Sequence, residues 1–151
     1  MKAKYILWML AGTLLTIAAC KKTTKTTDDG TPDVSGKTKQ QVFMMQKWKV
    51  GTWTDSNTSI GVEDYNDACT KDDNYSFTSS TQYLLDRGAC TNGDPQTETF
   101  SWSMPTATSS TVNIFGSDYT IISQTNSAIV LNRTHLLQGY STKEILIFGK
   151  F

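Results

Sequence analysis

Three cysteines and one histidine are the residues of this 151-residue chain best suited to chemistry. Cys69 and Cys90 flank two runs, 74–78 and 82–85, in which apolar and polar residues alternate. Such alternation predicts two half-buried strands, which the polar link 79–81 joins as a hairpin. Strand pairing would bring both cysteines to the open end of the hairpin, so we expect a Cys69–Cys90 disulfide. Two free thiols or half of a zinc site are the alternatives, and no further zinc ligands stand at compatible spacing.

The third cysteine, Cys20, follows a segment that is typical of exported proteins. Lys2 and Lys4 precede an apolar run of about 15 residues, which is shorter than the roughly 20 that a membrane-spanning helix needs. Residues 1–19 are therefore predicted to be a signal peptide. The run ends in Ile17-Ala18-Ala19-Cys20, which resembles a bacterial lipobox and implies cleavage before Cys20 and lipidation of that residue. An ordinary signal peptide with a buried cysteine is the alternative.

Export and lipidation together predict where the protein resides and what it contacts. The lipid on Cys20 would anchor the chain to a membrane of the bacterial cell envelope. Lys21 follows the cysteine, which resembles the sorting pattern of outer-membrane lipoproteins; periplasmic and surface orientations both stay open. Residues 20–36 are rich in Lys, Thr and Asp and are expected to form a flexible tether. The balance of 14 basic and 14 acidic residues gives no field for nucleic acid, so no such partner is predicted.

An acidic stretch next to the first cysteine of the hairpin suggests calcium at first sight, because hard cations need several oxygen ligands. The stretch comprises Glu63, Asp64, Asp67, Asp72 and Asp73. Its spacing is not that of an EF-hand loop. Helix caps, turns and solvated charge explain these residues better than a metal ion does.

His135 is the only histidine of the chain, and we expect it in a surface loop that spans residues 133–141. A single imidazole excludes a metal cluster built on several histidines. As a general base His135 would need an activated nucleophile, and its neighbour Thr134 is a weak candidate. The sequence therefore predicts no catalytic residue, no metal site and no cofactor.

The elements that position these residues are predicted to be short strands after one helix. Residues 37–45 form the expected helix, with Ser35 as its cap. Eight strands are predicted at 47–54, 74–78, 82–85, 97–104, 111–115, 119–123, 128–132 and 143–151. Because no helical crossover separates them, the strands should pair antiparallel. The sequence predicts an all-β fold in which residues 37–151 form an eight-stranded antiparallel up-and-down β-barrel; a β-sandwich is the alternative.

Residues 41–151 resemble the lipocalin-like lipoproteins of Gram-negative bacteria, in the broad calycin sense. The matching segments are Lys47-Trp48-Lys49-Val50, Asp67-x-Cys69-x-x-Asp72-Asp73 with Tyr75 and Phe77, Cys90, Thr99-Phe100-Ser101-Trp102, Tyr119-Thr120-Ile121 and Ile129-Val130-Leu131. Gln46 departs from the family pattern, which has glycine two residues before the tryptophan. The resemblance implies a barrel with an open mouth that takes a small apolar molecule.

The large side chains expected to face the barrel interior are the candidates for ligand binding: Trp48, Tyr75, Phe77, Tyr83, Phe100, Trp102 and Tyr119. Ile145 and Ile147 are expected on the same inner face, in the last strand. An eight-stranded barrel is just wide enough to be filled by side chains or to hold one small ligand, and both outcomes stay open. The expected function is non-enzymatic binding of a small hydrophobic molecule at the cell envelope. A protein-interaction module of the lysozyme-inhibitor type, using residues 117–119, is the alternative.

Overall fold

The computed structural model describes residues 33–59, 61–65, 67–91 and 93–151. The predicted signal peptide, Cys20 and all but the end of the predicted tether lie outside the described residues. Within the described ranges the chain forms two helices and nine strands. None of the helices in this part of the chain is long and apolar enough to cross a membrane.

The helices are short and the strands carry most of the fold. The helices are α1 (Lys39–Met44) and α2 (Ala68–Asp72). The strands are β1 (Lys47–Asn57), β2 (Gly61–Asp64), β3 (Asn74–Phe77), β4 (Gln82–Asp86), β5 (Thr97–Ser101), β6 (Thr111–Ile114), β7 (Ser117–Gln124), β8 (Ala128–Leu137) and β9 (Tyr140–Lys150). Thr38, not the predicted Ser35, caps α1: its hydroxyl accepts the Gln41 N–H while the Gln41 side chain accepts the Thr38 N–H.

All strands belong to one antiparallel sheet, so the predicted all-β class is confirmed. The strand order is β5-β4-β3-β1-β9-β8-β7-β6, and β2 pairs with the end of β1. The count is nine because Gly61–Asp64, which lies between the first two predicted strands, forms β2. The strands β5 and β6 stand at the two ends of the path, and the sheet is not closed by a continuous ladder. A single bridge between Ser103 and Asn113 joins the segment after β5 to β6.

A β-bulge in β1 decides which side chains of this strand face the inside. Val50 pairs with Phe148 and Thr52 pairs with Ile147, so Gly51 is the inserted residue. An inserted residue reverses the alternation between the two faces of the strand. As a result Val50 lies inside before the bulge, and the inner face after it continues with Trp53 and Asp55 rather than with Thr52.

The hairpin of β8 and β9 extends further than predicted. The two strands pair without interruption from Ala128–Gly149 to Leu137–Tyr140. The turn between them uses Gln138 and Gly139, both at positive φ, which matches the twist of a two-residue hairpin. The expected loop over residues 133–141 is therefore wrong, and His135 lies on a strand.

The predicted inner face of the last strand is also wrong. Leu146 and Phe148 are buried, whereas Ile145 and Ile147 are only half-buried. Phe148 pairs with the inward-facing Val50, which fixes the phase of β9. Both faces of β9 carry large apolar side chains, so the sequence pattern alone did not show which face is buried.

An aromatic core lies between α1 and the sheet. The Phe43 ring contacts the rings of Phe77 and Trp102, at centroid distances of 5.0 and 5.2 Å. The indole Nε1 of Trp48 donates to the carbonyl of Phe43 at 2.8 Å. Each of these buried side chains contributes about 1.5–3 kcal/mol through removal from water. Three predicted ligand-binding residues, Trp48, Phe77 and Trp102, therefore belong to the packed core.

The predicted disulfide between Cys69 and Cys90 is present, with their Cα atoms 5.1 Å apart. Cys69 lies on α2, a helix that the sequence did not predict. Asp67 caps this helix by accepting the Thr70 N–H at 2.7 Å, and this hydrogen bond lowers the pKa of the Asp67 carboxyl. Asp72 accepts the N–H of Ala89, next to Cys90, at 2.5 Å. Members of the acidic stretch thus stabilise the segment that carries the disulfide.

Candidate functional site

An apolar cavity of about 360 Å³ opens beside the aromatic core. Its lining residues come from β1, β3, β4, β5 and the turn between β6 and β7: Trp53, Tyr75, Tyr83, Leu85, Phe100, Ser101, Phe115 and Gly116. We call this space the aromatic cavity. Its volume lies at the small end of the range of about 300–1,000 Å³ that is usual for small-molecule sites.

The wall of the aromatic cavity is a set of rings that pack on one another. Tyr83 stacks on Phe100 at a centroid distance of 5.4 Å, and the edge of Tyr75 meets Phe115 at 5.7 Å. Burial, together with the negative charge of Glu98, raises the pKa of Tyr83 to about 12. The Tyr83 hydroxyl is therefore neutral at physiological pH and able to donate a hydrogen bond.

Phe115 enters the wall from a backbone conformation that is rare for a bulky residue. Its φ is +55°, and with Gly116 it forms the two-residue turn between β6 and β7. The sequence placed this turn one residue later, at 116–118. The left-handed region costs a non-glycine residue about 1–2 kcal/mol. The Phe115 ring stacks on Trp53 at 5.4 Å, so the strained turn supplies part of the cavity wall.

Next to this cavity, four charged or titratable side chains meet on the inner face of β1, β9 and β8. Asp55 pairs with Glu144, and Glu144 pairs with Arg133, so the three form one row across neighbouring strands. His135 follows two residues after Arg133 on β8 and therefore faces the same side. We call Asp55, Arg133, His135 and Glu144 the polar cluster.

Glu144 is the centre of the polar cluster, and its side chain is only 2% exposed. Its Oε1 accepts hydrogen bonds from Trp53 Nε1 and from the Tyr119 hydroxyl, both at 2.6 Å. Its Oε2 accepts from Nε of Arg133, whose Nη1 donates to Ser117 Oγ at 2.5 Å. A buried carboxylate of this kind is tolerated because a cation and several donors surround it.

Asp55 and His135 form the second half of the polar cluster. Nε2 of His135 lies 2.9 Å from Oδ1 of Asp55 and 3.5 Å from Oε2 of Glu144. The Tyr65 hydroxyl lies 3.0 Å from Oδ2 of Asp55 and 2.8 Å from Glu63, and it can donate to one of them at a time. The Asp55 side chain is 3% exposed and that of His135 is 22% exposed, so solvent reaches the cluster from the histidine side.

Arg133 and the two tyrosines that contact the polar cluster, Tyr119 and Tyr65, all have raised pKa values, so the guanidinium stays charged and the hydroxyls stay neutral. Burial, followed by the hydrogen bond to Glu144, raises the pKa of Tyr119. Burial disfavours the charge on Arg133, but the hydrogen bond to Glu144 together with the neighbouring Tyr119, Glu144 and Asp55 groups outweighs it and raises the pKa of the guanidinium. The hydrogen bond to Glu63, followed by burial, raises the pKa of Tyr65. Two carboxyl groups and one guanidinium give the cluster a formal charge of −1.

A smaller cavity of about 240 Å³ lies against the polar cluster. Its lining residues are Trp53, Asp55, Tyr65, Arg133, His135, Leu137 and Glu144. Trp53 lines both cavities, with its ring against the aromatic cavity and its N–H on Glu144. The molecule therefore has two adjacent sites of opposite chemistry that share one side chain.

The structure separates the seven predicted ligand-binding residues into three groups. Tyr75, Tyr83 and Phe100 line the aromatic cavity. Trp48, Phe77 and Trp102 are packed in the core, and Tyr119 is buried against Glu144.

The sequence interpretation did not single out three residues of these sites, Trp53, Asp55 and Glu144. It did single out His135, but placed it in a surface loop. One signal was available, because Leu131, Arg133, His135 and Leu137 continue the period-two spacing of β8 beyond its predicted end.

Comparisons with known proteins add no assignment to this geometry. No protein-family model matches the chain, and neither a curated protein nor a solved structure matches it. The functional assignment therefore depends on the aromatic cavity, the polar cluster and the sequence of the N-terminal region.

Proposed function

We propose that this protein is an envelope-anchored, lipocalin-like lipoprotein that binds a small hydrophobic molecule and performs no catalysis. The observation that carries the proposal is the aromatic cavity, whose volume of about 360 Å³ is sufficient for a small ligand. Tyr75, Tyr83, Phe100 and Phe115 all line it. Aromatic rings offer a ligand a large apolar area together with well-defined ring geometry.

The lipocalin-like part of the proposal is an eight-stranded barrel formed by all strands except β2. Its support is the order of the strands, in which eight of them follow one another as hydrogen-bonded neighbours. The bridge between Ser103 and Asn113 adds to this support, since it links the two ends of that path. A barrel of eight strands has room for one small ligand.

The anchored part of the proposal depends on the N-terminal sequence. The apolar segment that ends in Ile17-Ala18-Ala19-Cys20 supports lipidation of Cys20, with the membrane as the resulting partner. The Cys69–Cys90 disulfide agrees with an oxidising compartment outside the cytoplasm. The balanced charge of the chain gives no reason to propose nucleic acid as a partner.

The chemistry of the cavity suggests a ligand that is apolar except for one hydrogen-bonding group. The neutral hydroxyl of Tyr83 can donate to a carbonyl or hydroxyl oxygen, because its pKa of about 12 keeps it protonated. The stacked rings contact the rest of the ligand through dispersion. A fatty acid or a related lipid fragment has this composition.

Native mass spectrometry of the protein released from its own membrane tests the proposal. We expect a co-purified small molecule, together with saturable binding of a fluorescent fatty acid after delipidation. Phe100→Ala should weaken both, because it removes the ring that stacks on Tyr83 in the cavity wall. Thr99→Ala, at an exposed position on the opposite face of the same strand, should leave both unchanged. Wild-type protein without an adduct and without saturable binding would contradict the proposal.

A further inference from the structure

We infer that Asp55, His135 and Glu144 form a binding site for a divalent transition-metal ion of the zinc type. The three residues offer one imidazole nitrogen and two carboxylate oxygens, and these donor atoms lie within 4.8 Å of one another. This site is separate from the aromatic cavity, so the inference does not depend on the proposed ligand.

The distances between the donor atoms fit a small metal ion. In a tetrahedral zinc site with bonds of about 2.0–2.1 Å, two ligand atoms lie about 3.3–3.4 Å apart. Nε2 of His135 lies 2.9 Å from Oδ1 of Asp55 and 3.5 Å from Oε2 of Glu144. The two observed distances bracket the ideal value, so small side-chain rotations are enough to bring both pairs into register.

The types of donor distinguish between metals. Calcium and magnesium prefer sites made of oxygen atoms alone, whereas an imidazole nitrogen favours zinc, copper, iron or nickel. The cluster combines one such nitrogen with two carboxylates, and its formal charge of −1, from two carboxylates and one guanidinium, attracts a cation. Zn²⁺ is therefore the probe of choice, and Ca²⁺ serves as the matched negative probe.

The surroundings of the two carboxylates orient them as ligands. Each uses one oxygen for neighbouring donors and directs the other toward His135. Oε1 of Glu144 accepts from Trp53 and Tyr119. Oδ2 of Asp55 lies within hydrogen-bond distance of the Tyr65 hydroxyl, whose single proton it shares with Glu63. Partners of this kind hold metal ligands in place, and their loss typically weakens metal affinity about 10–100-fold.

Arg133 is the feature that opposes a metal ion, because its guanidinium contacts the same Oε2 of Glu144. That oxygen can still accept a second interaction, since a carboxylate oxygen carries two lone pairs. A bound divalent ion would change the net charge of the cluster from −1 to +1. The positive charge of Arg133 therefore lowers the affinity and favours a reversible site over a permanent structural one.

Access to the site is provided from the histidine side. The His135 side chain is 22% exposed, and the cavity of about 240 Å³ adjoins all three donor residues. A bound ion would have its remaining coordination position directed toward this cavity, where a water molecule can occupy it. This arrangement supplies the entry path that a metal site needs.

The single histidine makes the test direct. The full chain, produced without a histidine tag and solubilised in a non-ionic detergent, is treated with a chelator and titrated with Zn²⁺. Long-range ¹H–¹⁵N spectra of the imidazole then report on His135 alone. We expect a saturable shift of the Nε2 resonance at one equivalent, and no such shift with Ca²⁺. With Co²⁺ we expect visible absorption bands typical of a four- or five-coordinate ion.

Variants separate coordination from unspecific binding. His135→Gln and Asp55→Asn should weaken Zn²⁺ binding at least tenfold, as measured by calorimetry. Glu98→Gln is the matched control, since Glu98 pairs with Arg87 and contacts none of the three donors, and it should bind as the wild type does. An unshifted His135 resonance at millimolar Zn²⁺ would overturn the inference, and so would equal affinity for wild type and His135→Gln. The wild-type spectrum decides the matter even if a variant fails to fold.

Discussion

The aromatic cavity and the polar cluster lie side by side and share Trp53, yet they are built on different principles. The cavity wall consists of rings from short strands and one turn, and each ring adds an independent amount of contact area. The polar cluster consists of residues in register on three neighbouring strands, and every member depends on the others. Ligand binding in the cavity should therefore change gradually under mutation, whereas the polar cluster should respond as one unit.

The two sites should respond differently because a missing partner costs them different amounts of free energy. An apolar wall that loses one ring loses only the contacts of that ring. A buried polar network that loses one member leaves donors and acceptors without partners in a medium of low dielectric constant. Glu144 illustrates the second case, because Trp53, Tyr119 and Arg133 all donate to it.

The largest expected effect is that of Glu144→Ala, which leaves the half-buried guanidinium of Arg133 and the donors of Trp53 and Tyr119 without their shared acceptor. We expect the free energy of unfolding to fall by about 3–5 kcal/mol, measured by urea denaturation. The control is Glu98→Ala, which removes the partner of Arg87 at a position where the Glu98 side chain is 43% exposed, and should cost about 0–1 kcal/mol. Equal losses for the two variants would show that the polar cluster is not buried as a unit.

Trp53→Phe tests the residue that the two sites share. The ring remains and can still stack on Phe115, but the hydrogen bond to the charged Glu144 is lost. We expect a destabilisation of about 1.5–3 kcal/mol and nearly unchanged binding of a fluorescent fatty acid. The comparison variant is Trp102→Phe, which loses a hydrogen bond to the neutral carbonyl of Ser79. Loss of fatty-acid binding by Trp53→Phe would mean that the two sites are not chemically separate.

The pH dependence of stability tests the burial of Tyr83 in the cavity wall. The unfolded chain loses the tyrosine proton near pH 10, whereas the folded protein retains it until about pH 12. The contribution of Tyr83 to the free energy of unfolding should therefore be constant below pH 10. Between pH 10 and 12 it should fall by at most about 1.4 kcal/mol per pH unit. Urea denaturation at several pH values measures the slope.

Two phenylalanine variants identify the origin of that slope. Tyr83→Phe should make the loss of stability between pH 10 and 12 less steep. Tyr140→Phe, at an exposed position of β9, should leave it unchanged. Identical slopes for wild type and Tyr83→Phe would contradict a buried Tyr83.

The smallest change in stability is expected for Phe115→Asn. Asparagine adopts the left-handed conformation more readily than phenylalanine, which offsets the lost ring contacts, so the free energy of unfolding should change by no more than about 1 kcal/mol. Fatty-acid affinity should nevertheless fall about tenfold, because part of the cavity wall is gone. Gln138→Asn is the matched control, since Gln138 also has a positive φ but lies in the turn between β8 and β9. Unchanged binding by Phe115→Asn would show that the ligand does not contact this wall.

The same contrast explains how far the sequence predicts this molecule. Strand alternation and the cysteine spacing identified the hairpin of β3 and β4, its disulfide and three residues of the aromatic cavity. These features depend on local patterns, in which large apolar side chains repeat at period two. Burial of a ring such as Tyr75 follows from its own strand and needs no information about distant strands.

The polar cluster was missed because its members depend on register between distant strands. The bulge at Gly51 places Asp55 on the inner face of β1, and no local sequence pattern predicted this inserted residue. The inner face of β9 carries Glu144, yet the opposite face, with Ile145 and Ile147, is equally apolar in pattern. His135 was assigned to a loop because residues 132–135 are all polar or charged, so the alternation of apolar and polar residues ends there although β8 continues.

A double-mutant cycle between Asp55 and His135 tests most directly whether the three strands assemble the polar cluster on the inner face. The unfolding free energies of the wild type, Asp55→Ala, His135→Ala and the double variant are measured by urea denaturation in the presence of a chelator. The contact of 2.9 Å between Oδ1 and Nε2 predicts a coupling energy of about 1 kcal/mol or more. If the two single-variant losses of unfolding free energy add to the loss of the double variant within about 0.5 kcal/mol, the two side chains are not in contact and the polar cluster is not assembled as described.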